Sequence, residues 1–210
     1  MATYEQPHRI TSEAELDAIY GEPVPAAKLK ELPVIIDELR QFLEASPFVI
    51  LGTAGPEGLD CSPRGDPPGQ LLRIIDERTI QLPDRRGNNR VDSLRNIVRD
   101  PRVALLFLVP GIGETIRANG TAVLRTEPDL LESWAMGDKL PRCVIEISID
   151  TIFTQCQKAL VRSKLWDPAV QIERSALPTV GEIMTTITAG EFDGAAYDAA
   201  YPERLRQTIY

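Results

Sequence analysis

One histidine in 210 residues and three scattered cysteines leave out much of the side-chain chemistry on which enzymes commonly rest. The single imidazole, His8, lies in the polar stretch Gln6-Pro7-His8-Arg9, far from any core-like segment, and reads as a solvated tail residue. Serine or cysteine triads and histidine-bound metals need a well-placed imidazole, so both classes drop out. Cys61, Cys143 and Cys156 are odd in number and contain no Cys-x-x-Cys pair. That spacing indicates neither a zinc cluster nor a disulfide framework and predicts buried free thiols. Long apolar runs are missing too: the strongest, residues 103–109, stops at Pro110 and is far shorter than the ~20 residues of a membrane helix. The first residues lack the basic and then apolar stretch of a signal peptide, so a soluble, cytoplasmic protein is expected. In that setting the sequon Asn119-Gly120-Thr121 is a chance match. Positive charge is scarce, 23 Lys+Arg against 31 Asp+Glu for a net of -8, which argues against a general nucleic-acid coat.

What is present is the composition of an ordinary globular domain, long enough to bury a core without staples. Ser12-Glu13-Ala14-Glu15 fits a capping box for a short helix ending near Gly21. Leu29, Leu32, Ile36, Leu39 and Leu43 recur at helical spacing, so a second helix over residues 26–45, interrupted at Pro33, is expected. The character changes at Phe48. Residues 48–53 and 59–64 read as strands about the turn Gly55-Pro56-Glu57-Gly58, and residues 71–76 and 79–82 as a hairpin across Glu77-Arg78. A helix over residues 92–99, strands over 103–109 and 115–125, a helix over 127–136 and a last strand over 143–153 follow. Strands joined by tight turns, with few crossovers, predict a mainly β fold with flanking helices, its antiparallel sheet of six or more strands curling into a barrel. The expected organisation is a helical arm over 1–46, the barrel over 47–168, and an acidic extension with a terminal helix over 169–210, covering the barrel or a subunit interface.

The one concentrated basic stretch is residues 84–102, with six arginines against three aspartates, net +3 inside a -8 chain. Its opening, Asp84-Arg85-Arg86-Gly87-Asn88-Asn89-Arg90, leads from a strand end through a Gly/Asn loop into a helix. Free N–H groups at a helix start, its dipole and nearby guanidinium groups suit a phosphate. A solvated basic helix face is the competing reading. Gly111-Ile112-Gly113 lacks the third glycine of a dinucleotide loop. Ser62, without a histidine nearby, is a poor nucleophile but a reasonable hydrogen-bonding group.

Four ordered blocks, CSPRGDPPG, LPDRRGNNRVDSLRNIVRDPRVALLFLVPG, ETIRANGTAVL and CQKALVRSKLWDP, resemble the flavoproteins related to pyridoxamine 5'-phosphate oxidase. They are most similar to a bacterial branch with a Lys-Ala-x-x-Arg-Ser-x-x-Trp signature. The resemblance spans residues 48–168 and implies a split β-barrel binding FMN at the interface of a homodimer. It places Asn88, Asn89 and Arg90 on the FMN phosphate, and Leu82 and Pro83 where backbone groups line the ring system. Ser62 and Arg64 fall on the strand that meets the flavin, and Thr115 where a glutamine often contacts it. Lys158, Arg162 and Ser163 would reach the cofactor from the partner subunit. Trp166 has an equally good role as a core or interface anchor. On its own, Asn119-Gly120 signals a hairpin; the family pattern instead runs one strand through it, with a bulge at the glycine. Enzymes that oxidise vitamin B6 phosphates carry a C-terminal arginine and histidine on the substrate phosphate, and this chain has no histidine after His8. The implied function is therefore an FMN-dependent oxidoreductase of another substrate. A flavin-binding carrier or sensor without turnover, or a cofactor-free interaction barrel, are the alternatives. Sequence assigns no catalytic residue and no metal; Asp66 and Asp84 are only close to the site in the chain.

Overall fold

Three short helices precede the sheet in a computed structural model that describes residues 8–210. The first, α1 (Glu13–Tyr20), starts on Ser12, whose side chain accepts from the Glu15 amide, and ends on Gly21 at φ 66°. The Glu15 carboxylate reaches back to the Thr11 amide rather than to that of Ser12, so the box is shifted by one residue. The single helix expected over 26–45 is two, α2 (Pro25–Leu29) and α3 (Asp37–Ala45). The break is wider than Pro33 alone requires because Leu32 leaves the helix to form a β-bridge with Ile152. That contact joins residues far apart in sequence, and no local signal carries it.

The β1 (Phe48–Gly55) and β2 (Gly58–Gly65) hairpin turns where expected. A short β3 (Arg73–Ile74) pairs with β4 (Thr79–Pro83), and α4 (Asp92–Arg99) leads into β5 (Arg102–Leu108) and β6 (Thr115–Arg125). After α5 (Pro128–Ser133) comes the longest strand, β7 (Val144–Gln155). All pairings are antiparallel in the order β2-β1-β5-β6-β7-β4-β3. The two ends of that order, β2 and β3, are not hydrogen-bonded to each other, so the curled sheet is a split barrel rather than a closed one. β6 passes through Asn119-Gly120 as one strand, with a register shift there against β7.

Alternation puts Val49, Leu51, Leu105, Phe107, Ile116, Ile145 and Ile147 inside, where each is nearly or wholly buried. Leu39 and Leu43, one helical turn apart on α3, join this core, which runs in sequence from Ile35 to Ile152. The last part of the chain is built differently. α6 (Lys158–Ser163), α7 (Val180–Ile187) and α8 (Gly194–Thr208) belong to a stretch in which, after Phe153, only Gly181 and Gly194 are buried. α7 and α8 pack on each other at those two glycines, where a Cβ on Gly181 would come within 2.2 Å of the Gly194 carbonyl oxygen. The Asp198 carboxylate accepts from the Gly181 amide at 3.0 Å and from the Thr179 hydroxyl, pinning the two helices together. Thr179 and Glu182 form a full capping box, a local helix-start signal inside the acidic extension. The indole of Trp166 donates to the Ile112 carbonyl at 2.8 Å and ties this region to the β5–β6 turn. The expectation of three buried thiols is corrected: Cys143 is buried, while Cys61 and Cys156 are exposed. Cys61 alternates onto the outward side of an edge strand, and Cys156 lies just past the end of β7.

Candidate functional site

A cavity of about 710 Å³ opens where the end of β2, the end of β4 and the loop before α4 converge. Seven of the eleven residues singled out from sequence line it: Ser62, Arg64, Leu82, Pro83, Asn88, Asn89 and Arg90. They come from three separate segments, and the barrel topology brings them together. The other four are not in this wall. Thr115 is buried at the start of β6, paired with Gln155, and Lys158, Arg162 and Ser163 are exposed on α6 of the same chain.

The wall is held by a chain of hydrogen bonds. Arg64 Nη1 donates to Ser62 Oγ at 3.0 Å, and Ser93 Oγ donates to Asp60 Oδ2 at 2.6 Å. The two serine oxygens are 2.7 Å apart, and because the Ser93 proton is engaged by Asp60, Ser62 is the donor between them. This relay ties β2 to the first turn of α4. Arg64 also approaches Asp84 at 4.0 Å, yet its Nε is buried without a partner. An unpaired buried donor is costly, and one in a cavity wall is satisfied when a ligand acceptor arrives.

Within the wall, Asp66 and Arg85 form a largely buried ion pair at 2.8 Å, and Arg85 Nη1 donates to the Trp134 carbonyl. Breaking such a pair by removing one partner typically costs about 3–5 kcal/mol, so it acts as a rigid brace. The second oxygen of Asp66, Oδ1, has no partner. The Arg73 guanidinium stacks over the Trp134 ring at 3.9 Å and fixes the neighbouring side of the brace.

The loop into α4 is bent by two left-handed residues, Asn89 at φ 61° and Val91 at φ 50°. Asparagine tolerates this region; a β-branched valine does so at a cost of roughly 1–3 kcal/mol. Val91 stands immediately before α4 and in the cavity wall, so the strain sits at the site. Arg90 between them is largely exposed and ion-paired with Asp92. Of the six arginines of the basic stretch, only Arg85, Arg86 and Arg90 line the cavity; Arg99 pairs with Glu57 and Arg102 with Asp100.

Two wall residues escape sequence reading. Arg142, from the segment before β7, and Ile209, beyond α8, are separated from the rest of the site by long stretches of chain. Asp84 is half buried, and burial raises its carboxyl above the usual aspartate range, against the pull of Arg64 and Arg142. The Cys143 thiol beside it is pushed up to about 11 by burial, with the Asp84 charge adding to the effect. No group of three or more His, Cys, Asp or Glu suited to a metal occurs among the described residues, and none of their helices is long and apolar enough to cross a membrane.

An open antiparallel barrel with an arginine-lined cavity at its strand ends defines the class to which this protein belongs. The particular family follows from comparison: the model for pyridoxamine 5'-phosphate oxidase matches residues 35–156, and the chain belongs to that family. Among solved structures it is similar to HupZ of Group A Streptococcus, at 20% identity over 58% of this chain and 94% of that one, TM-score 0.48. A putative pyridoxamine 5'-phosphate oxidase from Lactobacillus delbrueckii is 21% identical over 59% of this chain and 98% of that one, TM-score 0.46. A pyridoxamine 5'-phosphate oxidase-related, FMN binding protein from Nostoc punctiforme is 14% identical over 54% and 75%, TM-score 0.40. No curated protein matches the chain.

Proposed function

We propose that the protein is an FMN-binding flavoprotein and an FMN-dependent oxidoreductase, working as a homodimer on a substrate other than a vitamin B6 phosphate. The observation that carries this reading is the gathering of Ser62, Arg64, Leu82, Pro83, Asn88, Asn89 and Arg90 around one cavity. Membership of the family supports it. The residues present suit the group: a strained Gly/Asn loop and a helix start offer amides to a phosphate, and the orphaned Arg64 Nε offers a donor to an acceptor.

Asn88, Asn89 and Arg90 would hold the phosphate, Arg90 giving up Asp92 for it. Leu82 and Pro83 line the ring system and exclude water from it. FMN, when bound, supplies electron transfer between a donor and an acceptor. Arg64 would offer a preoriented guanidinium to negative charge on the bound group, with no reorganisation needed. Thr115, outside this wall, would serve the ring only in the assembled dimer, and Lys158, Arg162 and Ser163 would approach the cavity of the partner subunit. Vitamin B6 oxidases use a C-terminal arginine and histidine on the substrate phosphate, and the lack of any histidine after His8 in this chain supports a different substrate.

The absorption spectrum of the purified protein tests the cofactor. A flavin band in the blue, released as FMN on denaturation, is expected. Arg90→Ala should weaken FMN binding by about 1.5–3 kcal/mol, the cost of a lost charge-assisted partner. A colourless protein that takes up no added FMN would refute the reading.

A further inference from the structure

The two ends of the cavity differ in what lines them. At one, Asn88, Arg90 and Ser93 gather about the start of α4. At the other, the end of β4 meets the segment entering β7, with the Arg142 amide donating to the Asp84 carbonyl and the Asp84 amide to the Cys143 carbonyl. Ile209 completes the wall there. It is kept in place by Tyr210, whose half-buried ring lies 5.9 Å from the guanidinium of Arg85, itself braced by Asp66 and the Trp134 carbonyl.

The wall cations are not equivalent. Arg64, Arg85 and Arg90 each face a carboxylate, that of Asp84, Asp66 and Asp92. Arg86 and Arg142 line the cavity with guanidinium groups in no salt bridge or hydrogen bond among the described residues, and of the two Arg142 is the one whose backbone is bonded to Asp84 at this end. A free guanidinium presents parallel N–H donors that match a carboxylate. Asp84 beside it selects against a dianion, since a second negative charge would face the aspartate at close range. Ile209, more than half exposed, supplies apolar surface on the same wall.

We propose that this end is a second ligand subsite, for a small molecule joining a carboxylate to an apolar body. Arg142 takes the carboxylate and Ile209, positioned by Tyr210, covers the apolar part. The assignment rests on the reading above, in which the α4 end holds the FMN phosphate. In a flavoenzyme this subsite is where substrate meets the cofactor, so an aromatic or unsaturated monocarboxylate is the substrate class it fits.

Calorimetric titration with benzoate, and with benzamide as its neutral counterpart, tests this on protein with and without added FMN. Benzoate should bind the FMN-loaded protein about tenfold more tightly than benzamide or better, a preference of roughly 1.4 kcal/mol. Arg142→Gln should erase that preference while leaving FMN affinity unchanged, and Tyr210→Ala should weaken both probes by loosening Ile209. Equal binding of the two probes, no benzoate binding, or benzoate binding indifferent to Arg142→Gln would overturn the proposal. So would a parallel fall in FMN affinity in Arg142→Gln, which would place that arginine in the cofactor site. Failure of the wild-type protein to take up FMN is a different result: it defeats the cofactor reading, and titration of the FMN-free protein then decides the subsite.

Discussion

Asp84 shows how one residue trades stability for a site. Its carboxyl titrates above the usual range because burial outweighs the attraction of Arg64 and Arg142. The unfolded chain loses this proton at the ordinary aspartate value, the folded chain at a higher pH. Between those values the folded state binds more proton, so stability falls as pH rises through the window and the loss persists at neutral pH. Asp84→Asn removes the charge and should raise the melting temperature at pH 7, each ~1 kcal/mol of relief showing as about 2–4 °C in a chain of this size. Melts repeated at falling pH should show the gain shrinking away below the ordinary aspartate range. A variant less stable than wild type at pH 7 would mean that Arg64 and Arg142 outweigh desolvation after all. The same burial that raises Asp84 also keeps the neighbouring Cys143 thiol protonated and chemically quiet at neutral pH, so it is not a nucleophile for this cavity.

At the level of elements, the passage of β6 through Asn119-Gly120 is decided by contact across the sheet. A Cβ on Gly120 would fall 2.0 Å from the Ser148 carbonyl oxygen on β7, backbone against backbone. Gly120→Ala should therefore force the strands apart and cost about 1–3 kcal/mol or more, measured by denaturant unfolding. Gly52→Ala serves as the control, since its Cβ would meet Ala104 only at 3.5–3.6 Å, an ordinary contact. Comparable losses in both variants would remove the close approach as the reason for glycine. This pair also explains what a sequence reader can and cannot see. α4 coincides with its expected span because Asp92 and Pro101 punctuate it locally, and the β1–β2 turn is equally local. Asn-Gly between apolar strands is a local hairpin signal too, but pairing of β6 with β7 on both sides of it prevails. The gap between α2 and α3 is set by the Leu32 to Ile152 bridge, and the entry of Arg142 and Ile209 into the cavity by how distant segments meet. The parts of the site carried on contiguous motifs were legible, and the parts supplied by long-range packing were not.

For the whole molecule, the question is what a segment with almost no buried residues does. Beyond Phe153 the chain buries only Gly181 and Gly194, while Val161, Ile172, Val180 and Ile187 are all more than half exposed. Helices so short and so exposed draw little stability from propensity alone and need a packing surface. α6 carries Lys158 and Arg162 in this segment, outside the wall of the cavity in its own chain. In a two-fold dimer each α6 would then serve the other subunit, and a mixing experiment separates this from service within one chain. On the proposed reading, Arg90→Ala and Arg162→Ala should each lower FMN occupancy when present in both subunits. In a dimer containing one of each, the subunit with intact Arg90 faces a partner with intact Arg162, while the opposite cavity carries both defects. Co-expression at equal levels should therefore restore about one quarter of the sites to wild-type affinity, as random pairing under two-fold symmetry requires. If Arg162 acted within its own chain, every cavity in every mixed dimer would keep one defect, and co-expression would restore none.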